Sequence, residues 1–595
     1  MCGIAGYFSV AEVDRPQAAL DAMLAPLRPR GPDGEGRWFH ADEGLRVGLG
    51  HRRLAILDLT DAAAQPMHRQ HLTLIYNGEI YNYLELRREL EGLGQRFAST
   101  GDAEVLLAAY QQWDEGSLDR LNGMFAFAIF DARTRTLFCA RDRAGEKPFY
   151  YFCDERRLVL ASEIKAVLAF GPPVPRAPRW DRVAAYLQEP YQTLQEQTFF
   201  EGVRELLPGH RLCVSASAGQ AGAQSLALEV RRFWSFPEAG GQRLAPEELR
   251  ELLDDSVRIR LRSDVPVGTC LSGGIDSPSI AAAVVAQTDT SATANFRYQG
   301  VHAFAPVAGA DERPYVEVLA KRLNIAVEYV EITAAGCLAE LDELAWRQEV
   351  PFASPSIYAQ RCVFRRAGEL GLKVMLDGQG ADELFGGYDW AVPRALAALA
   401  AQRGWIAALR GIWSMSGRRF PFFRLLRETL GRMRRRGKDF PDELHAALAA
   451  SLENYSLPAL LRYADRNSMS FGVEARLPFL DPRLIAVSAR LQPDDVVGQG
   501  QTKRLLRRAV ADRLPAEIAA RRDKSAFEVP DAQWVRNELR EAVREAVHEP
   551  FWRELDFAGG QSLLRTALGE TEGGAYNRQS WRVLCVARWR RAFFK

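Results

Sequence analysis

The chain has 595 residues, too many for one ordinary domain, and 47% apolar with 26% charged residues is the composition of a folded enzyme rather than a disordered chain. A net charge of +1 gives no global reason to expect nucleic acid as a partner. No apolar run reaches about 18 residues, which excludes a conventional spanning helix, and the start Met1-Cys2-Gly3-Ile4 lacks the regions of a secretory signal, so the expected location is the cytoplasm.

In chain order, residues 72–76, 124–130 and 158–161 read as buried strands. Asn82 is a good N-cap for a helix over 84–90. Residues 215–224 are nearly all Ser, Ala, Gly and Gln, and 237–242 add Pro and two Gly, so both read as loop or linker. The expected division is a first domain over 2–212, a linker over 213–245 and a second domain over 246–595. Beyond the linker, strands at 265–271, 326–332 and 373–376 alternate with helices at 278–285 and 338–346. That alternation predicts an α/β domain whose mostly parallel sheet is covered on both faces.

Eight cysteines are scattered without paired spacing, so reduced thiols are expected, seven of them as small core hydrophobes. Cys2 differs by its position. Loss of Met1 leaves it a thiol and a free α-amine, whose lone pair can act as the base that a thiol needs to become a nucleophile. Its company is Met1-Cys2-Gly3-Ile4-Ala5-Gly6, Arg30-Gly31-Pro32-Asp33, His51-Arg52-Arg53-Leu54-Ala55-Ile56, Tyr76-Asn77-Gly78-Glu79-Ile80-Tyr81-Asn82 and Thr100-Gly101-Asp102, in that order. These motifs resemble the N-terminal-nucleophile glutamine amidotransferase domain, an α+β sandwich (αββα), over residues 1–200. The resemblance implies that Cys2 attacks glutamine and that Arg53 clamps its α-carboxylate. It implies that Asp102 holds the ammonium with help from Glu79, and that Asn77 and the Gly78 amide form the oxyanion hole. Asn77-Gly78 is also a hairpin-turn dipeptide, and Arg30 with Asp33 could equally be a structural pair.

In the second half, an apolar strand runs into Leu271-Ser272-Gly273-Gly274-Ile275-Asp276-Ser277. Glycines there let backbone amides and a helix start approach phosphate. The loop resembles that of the ATP pyrophosphatases and lacks the Gly-Lys-Ser/Thr of a Walker loop. Asp377-Gly378-Gln379-Gly380-Ala381-Asp382-Glu383, Val473-Glu474-Ala475-Arg476-Leu477-Pro478-Phe479-Leu480-Asp481 and Gly500-Gln501-Thr502-Lys503 extend the likeness. Taken together, nearly the whole chain resembles the glutamine-hydrolysing asparagine synthetases. That implies ATP bound by Leu271, Ser272, Gly273, Gly274, Asp276, Ser277, Gly378 and Gln379, and Mg²⁺ on Asp276 and Asp382. It also implies Lys503 at the α-phosphoryl group, cleavage to AMP and pyrophosphate, and a route for ammonia between the domains. Arg522 and Lys524 are weaker candidates, since a basic pair can be a solvated face.

Two features depart from the family pattern. Gln379 stands where those synthetases carry a glutamate that takes a proton from ammonia, so Asp377 is the candidate to replace it, and the acceptor could be a carboxylate other than aspartate, such as a uronic acid or a cell-envelope intermediate. Residues 403–438 carry eleven Arg and Lys against one acid, Glu428, interleaved with Trp, Phe and Leu. That texture fits a helix on an anionic membrane or a grip on a phosphate-bearing glycolipid, and equally a helical pair packed on the domain with its arginines in solvent. Expected partners are glutamine, ATP, the acceptor (aspartate in the leading reading) and a second copy of the chain as a homodimer, with no nucleic acid.

Overall fold

The computed structural model describes residues 2–189, 195–218, 224–288, 298–307, 311–417, 419–436, 440–522, 529–553 and 559–594. In the first 232 residues lie strands β1 (Gly3–Ser9), β2 (Gly34–Asp42), β3 (Leu45–Arg53), β4 (Met67–Arg69), β5 (Leu72–Ile80), β6 (Gly123–Asp131), β7 (Thr136–Arg141), β8 (Tyr150–Cys153), β9 (Arg157–Ala161), β10 (Val203–Glu205), β11 (His210–Ala218) and β12 (Gln224–Arg232). They form two antiparallel sheets, ordered β10-β8-β9-β1-β3-β2 and β12-β11-β7-β6-β5-β4.

The continuous apolar run of β6 has a simple cause. Phe125, Phe127 and Ile129 pack beneath helices Tyr83–Gly92 and Asp102–Trp113, while Ala126, Ala128 and Phe130 face the other sheet. A strand buried on both faces loses the usual apolar–polar alternation. In β1, Ile4 and Phe8 meet β6 from the opposite sheet, and Ala5 and Tyr7 meet the helix Pro16–Leu24. The result is helix, sheet, sheet, helix.

The second half carries β13 (Val267–Cys270), β14 (Gln299–Phe304), β15 (Ala326–Glu331), β16 (Val374–Leu376) and β17 (Glu474–Arg476), all parallel, in the order β15-β14-β13-β16-β17. After β13 the chain builds one side of the sheet and then crosses to the other with β16. The carboxyl ends of β13 and β16 therefore mark the crevice that is the usual ligand site of such sheets. A two-residue turn, Gln499 at φ 55 and Gly500 at φ 78, closes the hairpin β18 (Val497–Gly498) and β19 (Gln501–Thr502).

Three expectations need correction. Residues 213–218 and 224–232 are not linker: β11 and β12 pair from His210↔Arg232 to Ala218↔Gln224 and extend the second sheet. Their small polar residues suit an edge hairpin, and the connecting stretch is 233–245. Asn82 stands at the N-cap position without capping, since its side chain is bonded to the Arg120 carbonyl and the Asn122 amide, each at 2.9 Å. Asn77-Gly78 lies inside β5, opposite Ala126 and Phe125, and makes no turn. All eight cysteines are free, and besides Cys2 four are buried and three half-buried.

The two halves meet through buried charges. Arg30 makes a bidentate pair with Asp465 at 2.7 and 2.9 Å and a bond to Glu163 at 3.0 Å. Arg466 holds Asp465 and Glu349, each at 2.8 Å, and Lys165 sits between Glu163 and Glu349. Three cations and three carboxylates thus compensate one another out of water.

Candidate functional site

Cys2 lies at the open end of β1, across from Arg53 at the end of β3. Its main-chain nitrogen donates to Asn77 Oδ1 at 2.9 Å, and its carbonyl accepts from Arg30 Nε at 3.1 Å. Burial pushes the Cys2 thiol up, and a backbone hydrogen bond from Leu54 pulls it down. Asn77 is fully buried, and its Nδ2 has no hydrogen-bond partner among the described residues. A buried amide left unpaired beside a thiol is a donor held ready for a ligand. Gly78 is glycine because a Cβ there would meet the Met124 carbonyl at 2.1 Å.

Burial pushes His51 down to about 3, so the imidazole is neutral and a weak base. Asp102 accepts from the Tyr76 hydroxyl at 2.8 Å and from the Ile80 amide at 2.9 Å. The Arg53 guanidinium is bonded to the carbonyls of Thr60, at 2.8 Å, and Asp58. Arg30 and Asp33 do not pair. Asp33 accepts from the Ala55 amide and from Lys373, each at 2.8 Å, so both residues face the other domain.

In the crevice, Lys503 is 1% exposed and reaches Asp276 at 2.6 and 2.7 Å and Asp382 at 2.6 Å. The two carboxylates expected to share a cation therefore converge on one point. Gly387 lets the lysine stem pass, since a Cβ there would lie 2.1 Å from Lys503 Cε. Gly378 lets the two signature loops touch, since its Cβ would meet the Ser277 amide at 2.8 Å. Ser272 and Ser277 are bonded through their hydroxyls at 3.1 Å, and the Gly273 amide donates to Glu312 at 3.0 Å. Gly274 donates to the Ser272 hydroxyl at 3.3 Å, and the Leu271 carbonyl lies 3.0 Å from His302 Nδ1. Arg521 ties Glu312 to the Gly273 carbonyl at 2.7 and 2.8 Å. Burial, with Asp276 adding to it against the Gly378 and Gln379 amides, pushes Asp377 up to about 6. Gln379 Oε1 is buried without a partner among the described residues. Arg522 packs against Gly500, and Lys524 lies outside the described residues.

Arg476 joins the two centres. Its side chain holds Glu474 at 2.6 Å and Glu79 at 3.4 Å, while its carbonyl accepts from the Asp377 amide at 3.0 Å. Around it, Glu79 Oε1, Tyr81 Oη, Arg260 Nε and Glu146 Oε2 are buried without partners among the described residues. The Tyr81 ring lies under Arg260 at 4.3 Å and Arg476 at 5.6 Å. Burial and Asp142 push Glu146 up to about 8. The sequence motifs mark Glu79 and Arg476 separately. No spacing signals that they meet, nor that Glu312 and Arg521 close the glycine loop.

An asparagine synthase family model matches residues 248–591, and a glutamine amidotransferase domain model matches 1–225. Asparagine synthetase [glutamine-hydrolyzing] 3 of Bacillus subtilis is 30% identical over 88% of this chain and 86% of its own length. Asparagine synthetase [glutamine-hydrolyzing] 1 of the same organism is 29% identical over 92% and 90%. Amidase chry2 of Gibberella zeae is 27% identical over 99% and 97%.

Proposed function

The chain belongs to the asparagine synthase family of glutamine-dependent amidotransferases, and from that premise we propose that it amidates a carboxylate, with aspartate as the leading acceptor. The observation that carries the reading is the Arg476 bridge, which ties a buried nucleophile with a waiting donor to a carboxylate and lysine crevice.

In this reading the Cys2 thiolate, relieved of its proton by its own α-amine, attacks the side-chain amide carbon of glutamine. Asn77 Nδ2 and the Gly78 amide hold the oxyanion, the Cys2 α-ammonium passes its proton to the amide nitrogen so that ammonia leaves, and water cleaves the thioester to glutamate. Arg53 and Asp102 bind the two ends of glutamine once the substrate displaces their present partners, and Glu79 helps through its unpartnered Oε1 while Oε2 stays on Arg476. In the crevice an acceptor carboxylate oxygen attacks the α-phosphorus of ATP and pyrophosphate departs. Lys503 neutralises charge on the phosphoryl oxygens. Asp276 and Asp382, hard oxygen donors that converge on one point, would hold Mg²⁺, and the ion would supply positive charge to the leaving pyrophosphate. Ammonia passes along the unpartnered atoms around Arg476 and attacks the acyl carbon, expelling AMP. Its spare proton goes to Asp377, because the amide of Gln379 has no basic lone pair.

The second reading keeps the mechanism with another acceptor, and Gln379 favours it: its unpartnered Oε1 offers a neutral acceptor where the family's glutamate carries charge. Pyrophosphate release is measured with ATP, glutamine and one acid at a time. Robust release with aspartate excludes the second reading. Release with a uronic acid and none with aspartate excludes the first.

A further inference from the structure

Among the described residues, five of the large apolar side chains exposed at the surface lie on two successive helices, Trp405–Met415 and Phe422–Arg436. They are Trp405, Ile406, Leu409, Trp413 and Phe423, with Ile406 70%, Trp413 77% and Phe423 81% exposed. Positions 405, 406, 409 and 413 follow helical spacing and share one face. The opposite face, Ala408, Ile412 and Met415, is buried. The first helix is therefore apolar on both sides. One side packs on the domain, as a structural pair of helices requires, and the other faces outward.

Exposed arginines accompany these side chains along the same stretch of chain. Arg403, Arg410, Arg424 and Arg427 are exposed, and neither Arg410 nor Arg427 has an acidic partner among the described residues. The chain as a whole is balanced, 77 basic against 76 acidic residues, so the eleven-to-one excess over 403–438 is local. A second copy laid symmetrically on this face would set arginine against arginine. Nucleic acid would answer the arginines but leave Ile406 and Leu409 in water. Aromatic and aliphatic side chains surrounded by cations match a surface that is apolar inside and anionic at its headgroups.

We propose that the outer face of the Trp405–Met415 and Phe422–Arg436 helices seats the enzyme peripherally on an anionic lipid bilayer. Aromatic side chains enter the acyl boundary and the arginines meet headgroup phosphates. The inner side of the seat backs onto the synthetase crevice. The Ser414 carbonyl lies against Gly500, where a Cβ would approach it to 2.9 Å, and β19 then delivers Lys503 to Asp276 and Asp382.

The test is flotation of the full chain with vesicles of phosphatidylcholine alone or containing about one-third phosphatidylglycerol. Two double variants are run beside it, Trp413→Ser with Phe423→Ser and Arg410→Glu with Arg427→Glu. All four side chains are exposed and lie outside both centres, so glutaminase turnover serves as the folding control. The wild type is expected to float with the anionic vesicles only and to be released by salt, and each variant to lose about tenfold or more of its partitioning. Absence of flotation, equal flotation with both vesicles, or variants that float like the wild type would overturn the proposal. So would self-association that Trp413→Ser with Phe423→Ser abolishes without any flotation, which would give the face to a second copy.

Discussion

Replacing Asn77 by Ala separates a catalytic role from a structural one. The substitution removes the acceptor of the Cys2 nitrogen, at 2.9 Å, and an Nδ2 that is already buried and unpaired. Leaving the Cys2 nitrogen without its acceptor costs about 1–3 kcal/mol, and deleting an unsatisfied buried amide returns about the same, so stability should change by no more than about 2 kcal/mol. Loss of one oxyanion donor lowers the rate by about 10²–10³, or about 2.7–4 kcal/mol of barrier. Glutamate release from glutamine should fall by that factor. Urea unfolding and ammonia-dependent pyrophosphate release should stay near wild type. A loss of glutaminase activity smaller than about tenfold, or one accompanied by more than about 2 kcal/mol of destabilisation, would deny Asn77 the oxyanion role.

Three further outcomes follow from the geometry. Asp465→Asn leaves Arg30 and Arg466 short of a charge they now share out of water, and should destabilise the chain by about 3–5 kcal/mol in urea melts, with much of it regained by Arg30→Met combined with Asp465→Leu. A loss of less than about 1 kcal/mol in Asp465→Asn, or no recovery in the double variant, would deny the pair its docking role. In the proposed reaction Asp377, pushed up to about 6 by burial, can take ammonia's proton only when ionised, so amidation should fall as pH drops through about 6. The Asp377→Asn enzyme should lose activity and this limb together, and an unchanged limb would assign it elsewhere. Lys503→Met leaves Asp276 and Asp382 facing each other without their shared cation. It should lower pyrophosphate release by about 10²–10³ or more and spare glutaminase turnover, and equal loss of both would contradict the division of labour.

What the sequence disclosed was local. The apolar runs of β5, β6 and β9 are buried on both faces and cannot be misread as solvent-facing. The loop after β13 carries its own chemistry in consecutive residues. Elements defined by a partner far along the chain were hidden. β12 looks like linker because its pairing with β11 is a tertiary event. Asn77-Gly78 looks like a turn until β6 is seen to lie beside it, when the need for glycine proves to be the Met124 carbonyl. Arg30 and Asp465 are 435 residues apart, and nothing at either position names the other. The segment 403–438 was legible as basic and aromatic, but only its packing separates the covered face from the exposed one.

The central claim is that one centre makes ammonia and the other consumes it. Cys2→Ala tests this most directly, with pyrophosphate release measured on glutamine and on ammonium salts in parallel. Glutamine-dependent release should disappear while ammonia-dependent release persists at the wild-type rate. Loss of both, or survival of glutamine-dependent release, would contradict the claim.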